Sequence, residues 1–222
     1  MKAMILAAGR GERMRPLTDT MPKPLLQAGG KALLAYHIES LVAAGITEIV
    51  VNVAWQKQHL YEFLGDGSHF GAHIMISDEG DAALETGGGV RRALPLLGDE
   101  PFWLVNGDVY LEYTFTEKRL SAGTLGHLLL VPNPLHNPAG DFALQAGKVV
   151  NEGSAMLTYS GVAVLDPALL SRHPEGVFPL APLLRAAADA GQLRGECYAE
   201  FWCDIGTPER LQSLDQRLRQ AD

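Results

Sequence analysis

The chain has 222 residues, of which 47% are apolar and 20% charged, and a formal net charge of −8. That length supports the core of one domain, with room for a small lobe. The acidic balance argues against a general nucleic-acid or membrane-surface role. No apolar run reaches membrane-spanning length, and the Met-Lys start lacks a signal-peptide layout. A cytoplasmic protein is expected, with no nucleic-acid and no membrane partner.

In chain order, residues 2–8 read as a buried strand: short, apolar and ended by Gly9. The strand runs straight into a glycine-rich, basic loop. Gly9 and Gly11 lack a Cβ, so the backbone can turn tightly and approach a ligand. N–H groups in such a turn form a concavity that binds anions. Arg10, Arg13, Arg15 and Lys23 fall within fourteen residues, with Glu12 and Asp19 the only acids among them. Backbone donors and clustered cations are what a polyphosphate needs. This local charge stands against the sign of the whole chain. Lys23 sits between Pro22 and Pro24.

Leu34, Ile38, Leu41 and Val42 share one helix face, which Gly45 closes. Residues 48–53 read as a second strand, 56–64 as a helix, 73–77 as a third strand, and 89–97 as a short helix. Residues 102–106 form a fourth strand ending at Gly107-Asp108. Alternating strands and helices indicate a parallel, doubly wound α/β sheet.

After Asp108 the rhythm changes. Residues 126–131 and 157–165 read as strands, and 142–144 with 148–150 as a hairpin. Pro132, Pro134 and Pro138 mark a loop. Leu180, Leu183, Leu184 and Ala187 form a helix face, and 196–202 read as a further strand. Thr207-Pro208-Glu209 opens the last helix with a capping hydroxyl, a proline in the first turn and an acid at the positive end. Leu211, Leu214 and Leu218 dock that helix.

The chain therefore reads as one domain over 1–222. About 1–108 is the nucleotide-binding half, and about 109–222 an insertion that returns to it and ends in a helix. Ligands in such sheets bind beyond the carboxyl ends of the strands. The loops after Ala8, Asn106 and Trp202 can meet there. Cys197 and Cys203 lack partner cysteines and zinc spacing, so both read as packing residues. The seven histidines show no ligand spacing and read as scattered surface or core residues.

Two nucleotide-binding patterns are disfavored. Gly9-x-Gly11-x-x-Met14 lacks the third glycine of the dinucleotide fingerprint, and Gly29-Gly30-Lys31 stands where its ribose-binding acid belongs. No Gly-Lys-Ser/Thr run is present, which excludes a P-loop at the motif level.

What the segment does resemble is the signature of the sugar-phosphate nucleotidyltransferases. Its two halves are Leu6-Ala7-Ala8-Gly9-Arg10-Gly11-Glu12-Arg13-Met14 and Pro22-Lys23-Pro24, with Glu12 where the family usually has threonine. Leu84-Glu85-Thr86-Gly87-Gly88-Gly89 resembles the family's base-contacting loop, with Glu85 replacing a glycine. Val105-Asn106-Gly107-Asp108-Val109 and Trp202-Cys203-Asp204-Ile205-Gly206-Thr207-Pro208 resemble its two metal-binding segments. Taken alone, Asp108 reads equally well as a turn residue and Asp204 as part of a helix start.

The resemblance implies an α/β fold of the GT-A-like nucleotidyltransferase type. It has a Rossmann-like mixed, mostly parallel sheet flanked by helices, and a small sugar-binding lobe. The implied partners are a nucleoside triphosphate and a sugar 1-phosphate, and the implied cofactor is Mg²⁺. Arg13 and Lys23 take the catalytic roles, and Asp108 and Asp204 hold the metal. Ala8, Gly9, Gly11, Glu12, Arg13, Lys23, Glu85, Thr86, Gly87 and Asn106 contact the nucleotide. Asp141, Glu152, Tyr159 and Ser160 contact the sugar, although a solvated acid on a hairpin describes Asp141 equally well.

Among short family members, the motifs are most similar to those using UTP and N-acetylmuramate 1-phosphate in cell-wall (peptidoglycan) recycling. Members using mannose or glucose 1-phosphate with GTP, dTTP or UTP remain an alternative. A non-catalytic nucleotide-sugar sensor is the rival from another class. The chain leaves no room for the C-terminal extension through which many relatives assemble, so a monomer is expected.

Overall fold

The computed structural model describes residues 1–221. β1 (Ala3–Leu6) leads into three single 3-10 turns (Glu12–Met14, Leu17–Asp19 and Lys23–Leu25). There follow the hairpin of β2 (Gln27–Ala28) and β3 (Lys31–Ala32), then α1 (Leu33–Ala43), β4 (Glu48–Val53), α2 (Lys57–Leu64), β5 (His73–Asp78), α3 (Glu85–Leu97) and β6 (Phe102–Asn106). The second half holds β7 (Val109–Leu111), β8 (Gly126–Val131), β9 (Phe142–Gln145), β10 (Lys148–Val150), β11 (Met156–Leu165), α4 (Ala168–Ser171), α5 (Ala181–Asp189), β12 (Leu193–Cys197), β13 (Trp202–Asp204) and α6 (Pro208–Ala221).

Among the described residues, nine strands form one mixed sheet in the order β5-β4-β1-β6-β11-β8-β12-β10-β9. β5, β4, β1 and β6 are parallel, as helical crossovers require. The second half adds mostly antiparallel pairings, with β12 parallel to β8. β11 joins the halves: residues 162–165 pair with β6, while Met156 and Leu157 pair with β9. Its register shifts between Tyr159 and Val162. Gly161 lies in that shift with φ 83°, and a Cβ there would stand 2.8 Å from Asn106 Nδ2. Only glycine suits both the conformation and the close approach.

The strands are buried on both faces. Ile5, Val51 and Val105 face α1 and α2 through Leu34, Ile38, Leu60 and Leu64. Met4, Val50 and Leu104 face the opposite layer of Val90, Leu94, Leu170 and Leu184. This alternation is the period of two in a sheet covered on each side. A third cluster pins the N-terminal loop: Met14 packs with Leu26, Leu33, Ile205 and Leu214.

Three sequence expectations are corrected. The run 196–202 is not one strand. β12 ends at Cys197 in the main sheet, and β13 begins at Trp202 in a separate ribbon, where Trp202 pairs with Leu111 of β7. Periodicity cannot see the change of partner. The helix predicted at 89–97 begins at Glu85. Its glycines are there for close packing: a Cβ on Gly88 would lie 2.1 Å from the Gly176 carbonyl oxygen. Finally, Cys203 is partly buried as expected, but Cys197 is exposed.

Candidate functional site

The carboxyl ends of β1 and β6 lie side by side, with Leu6 paired to Asn106. Gly107 N donates to Leu6 O at 2.9 Å. A Cβ on Gly107 would lie 2.6 Å from that oxygen, so glycine lets the two strand ends meet. Beyond them opens a cleft of about 420 Å³. Ala8, Gly9, Gly11, Glu12, Arg13, Lys23, Glu85, Thr86, Asn106 and Asp108 line it.

The glycine-rich loop is held from both sides. Gly11 has φ 65°, and its carbonyl accepts from Met14 N at 2.9 Å and Thr18 Oγ1 at 2.8 Å. Met14 is fully buried, which anchors the turn and leaves the neighbouring Arg13 exposed on the cleft. The guanidinium of Arg10 lies 4.5 Å over the Trp55 ring, and Trp55 Nε1 donates to Thr18 O at 3.2 Å. Arg15 points to Asp19 instead, at 3.2 Å.

Lys23 is only 7% exposed. Its Nζ lies 2.6 Å from Asp108 Oδ2. Pro22 and Pro24 restrict the backbone that carries it. The pair is a buried cation held by a half-exposed carboxylate in the lining of the cleft.

Asp204 approaches from the second half. It pairs with Val109 across the β7–β13 ribbon, and Ile205 N donates to Asp108 O at 2.7 Å. The ribbon therefore brings the two aspartate-bearing segments together. The carboxylate of Asp204 is ion-paired to Arg210 Nη1. His136 Nε2 lies 2.9 Å from Asp204 Oδ1, yet that buried oxygen has no aligned hydrogen bond. A carboxylate oxygen without an aligned hydrogen bond suits a hard cation once His136 moves aside. Among the described residues no group of three or more His, Cys, Asp or Glu converges as a metal cage. A cation held by Asp108 and Asp204 would complete its shell with phosphates and water, the habit of Mg²⁺.

Sequence reading missed the wall of the cleft formed by Asn52 and Glu79. Asn52 is 2% exposed and Glu79 is 6% exposed. Asn52 Oδ1 accepts from Ala7 N at 2.7 Å, and its Nδ2 donates to Glu79 Oε1 at 2.6 Å. Glu79 Oε2 accepts from Leu84 N at 2.6 Å. This chain ties the glycine-rich loop to the segment ahead of α3. Gly89 makes room for it, since a Cβ there would lie 2.5 Å from Glu79 Oε1. The available signal was position: a polar residue near the end of each apolar strand, where ligands bind. Glu85 starts α3 with φ 60°. That conformation favours glycine, the residue Glu85 replaces in the family pattern.

A second pocket of about 200 Å³ adjoins the cleft and shares Thr86 and Asn106 with it. Asp141, Phe142, Tyr159, Leu180, Leu184 and Arg185 also line it. Asp141 Oδ2 accepts from Tyr159 N at 2.8 Å and Asn137 Nδ2 at 3.2 Å. The Tyr159 hydroxyl is buried without a hydrogen-bond partner, and burial pushes its pKa up. Arg185 carried no sequence signal, being one cation on an amphipathic helix. Arg210 and His136 were missed for the same kind of reason: their meaning comes from Asp204.

Four anticipated site residues lie outside the linings of both pockets: Asp204, whose neighbour Gly206 does line the cleft, and three more. Gly87 is buried under Phe178, with a Cβ position 2.5 Å from that ring. Ser160 is fully buried, and its Oγ accepts from Val162 N at 3.1 Å. Glu152 is exposed beside the β9–β10 hairpin, apart from both pockets.

Comparison with known proteins matches residues 2–127 to the nucleotidyl transferase family model. The chain is 48% identical to the N-acetylmuramate alpha-1-phosphate uridylyltransferase of Neisseria meningitidis serogroup B, over 95% of each chain. It is 33% identical to the protein of that name from Caulobacter vibrioides, covering 99% of this chain and 97% of that one. The fold superposes on the inositol-1-phosphate CTP transferase from T. maritima with a TM-score of 0.80 at 20% identity, covering 99% of this chain and 96% of that one. The matched segment carries the whole glycine-rich loop, Lys23 and Asp108, and on these grounds the chain belongs to the nucleotidyl transferase family.

Proposed function

We propose that this protein transfers UMP from UTP to N-acetylmuramate 1-phosphate, giving UDP-N-acetylmuramate and pyrophosphate, as a step of peptidoglycan recycling. The observation that carries the reading is the Lys23–Asp108 pair, 2.6 Å apart in a glycine-lined cleft. The choice of UTP and of this sugar rests on the names of the two relatives.

The reaction needs no protein nucleophile. A phosphate oxygen of the sugar attacks the α-phosphorus in line, and pyrophosphate leaves. Catalysis is positioning plus neutralisation of charge. The loop from Gly9 to Arg13 offers backbone donors to the triphosphate, and Arg13 balances charge on the β- and γ-phosphates and the leaving pyrophosphate. Lys23 holds the α-phosphate and the incoming phosphate together as a compact cation. Asp108 would exchange part of its hold on Lys23 for a metal, and Asp204 would complete the pair. Bound Mg²⁺ would supply charge neutralisation across the phosphates. Asn106 and Thr86 shape the space between nucleotide and sugar, and the Asn52–Glu79 wall bounds the cleft on the β4–β5 side.

The test is pyrophosphate release with and without Mg²⁺, across UTP, GTP, dTTP and CTP and a panel of sugar 1-phosphates. Turnover is expected with UTP and N-acetylmuramate 1-phosphate. Lys23→Ala should lower kcat by at least a hundredfold while melting as a folded protein. Release with UTP and mannose 1-phosphate, but not N-acetylmuramate 1-phosphate, would refute the substrate assignment. No release with any pair would favor a sensor.

A further inference from the structure

We infer that Arg185 makes the second pocket selective for sugar 1-phosphates that carry a carboxylate. The inference rests on the reaction proposed above and adds the residue that reads the acid. Arg185 lies in α5, one turn on from Ala181, and Leu180 and Leu184 follow the same i, i+4 spacing. These four residues form one wall of the pocket. Phe142 also lines the pocket, its ring centroid 5.1 Å from the Arg185 guanidinium carbon. This ring contact and a hydrogen bond from its Nη1 to Asp141 O at 3.1 Å position the otherwise exposed guanidinium. Among the described residues no carboxylate pairs with Arg185.

Arg185 is the pocket's cation, and most of its donors have no protein acceptor. A free planar fork is suited to bidentate capture of a carboxylate. The other charged group of the pocket, Asp141, has Oδ2 engaged by Tyr159 N and Asn137 Nδ2. Its remaining oxygen can accept from a sugar hydroxyl or amide N–H. Phe142, Leu180 and Leu184 offer apolar surface for methyl groups. The Tyr159 hydroxyl is buried behind this wall and does not face the pocket. The pocket opens onto the nucleotide cleft through Thr86 and Asn106, so a sugar seated in it can direct its phosphate toward Lys23. N-acetylmuramate differs from N-acetylglucosamine by a lactyl ether, which adds one carboxylate and one methyl. The pocket provides for both.

The experiment compares kcat/KM for N-acetylmuramate 1-phosphate and N-acetylglucosamine 1-phosphate with UTP, in the parent, Arg185→Gln and Arg185→Lys. Glucuronic acid 1-phosphate against glucose 1-phosphate forms a second acid–neutral pair. Thermal melts confirm that the variants fold. The acid-to-neutral ratio should fall about 10- to 100-fold in Arg185→Gln, the range for hydrogen bonds to a charged group, and less in Arg185→Lys. An unchanged ratio, or an equal loss on both sugars, overturns the inference. The parent alone tests the reaction. Turnover of glucuronic acid 1-phosphate but not N-acetylmuramate 1-phosphate would refute the muramate assignment, while a ratio that still depended on Arg185 would uphold the inference. A parent that prefers the neutral member of both pairs overturns the inference.

Discussion

Replacing Asn52 by alanine removes one side chain and leaves two buried groups without partners: the N–H of Ala7 and Oε1 of Glu79. An unsatisfied buried amide costs about 1–3 kcal/mol, and a lost hydrogen bond to a charged group about 1.5–3 kcal/mol. Both residues line an open cleft, so water can enter and recover part of this. The expected net loss is about 2–4 kcal/mol. For a chain of this size that corresponds to a fall in Tm of roughly 4–16 °C. Urea unfolding of the ligand-free protein, checked by calorimetry, gives the number directly.

The same network can be broken from the other side. Gly89→Ala places a methyl 2.5 Å from Glu79 Oε1 and 2.8 Å from Asn52 Nδ2. Because both substitutions act on one network, the double variant should lose less than the sum of the singles. On the reaction proposed above, the KM for UTP should rise in each, since the network ties the phosphate loop to the segment ahead of α3. An Asn52→Ala protein as stable as the parent within about 0.5 kcal/mol would refute the argument, since that is the range of a surface substitution remote from any such network.

Two further outcomes follow from buried groups. Burial lowers the pKa of His37 from 6.5 to about 4, against smaller opposing effects of the Val109 backbone and Asp108. The folded protein holds this ring neutral, while the unfolded chain takes up its proton as pH falls below 6.5. Stability is therefore lost between pH 6.5 and 4 and levels off below that, by a total of about 3 kcal/mol. In His37→Phe the acid limb over this window should flatten in urea titrations at a series of pH values, and an identical limb would contradict the assignment. Gly88→Ala gains about 1 kcal/mol of helix propensity but sets a methyl 2.1 Å from the Gly176 carbonyl oxygen. A net loss of about 1–3 kcal/mol is expected, and a higher Tm would show that the 176 segment does not press on α3.

The first half of the fold was legible because each strand is a short apolar run closed by a turn residue. Glu48–Val53 and Phe102–Asn106 match the predicted limits. What pattern could not show was pairing. The 196–202 run reads as continuous because side-chain periodicity carries no information about which strand lies alongside. The loop ligands were legible because their chemistry is compressed into one segment. Asn52 and Glu79 were not, since each looks like an ordinary polar end of a strand until the other is placed within 2.6 Å of it. Ser160 misled for the opposite reason: a hydroxyl in a motif-like stretch is spent on its own bulge, bonding Val162 N. Glycine was ambiguous throughout. At 11 it permits a turn, whereas at 87 to 89 it permits contact, and only the neighbours tell these apart.

β11 is hydrogen-bonded to β6 at one end and to β9 at the other. β6, whose Asn106 lines the nucleotide cleft, and β11, whose Tyr159 lines the second pocket, are therefore neighbours in one hydrogen-bonded sheet, with Gly161 packed against Asn106. The spacing between the two pockets is set by the pairing of neighbouring strands in one sheet. Such a frame also separates two kinds of change. Substitutions on α5 or the hairpin can alter which sugar fits without moving the phosphate cradle, so acceptor preference can drift while the transfer chemistry stays put.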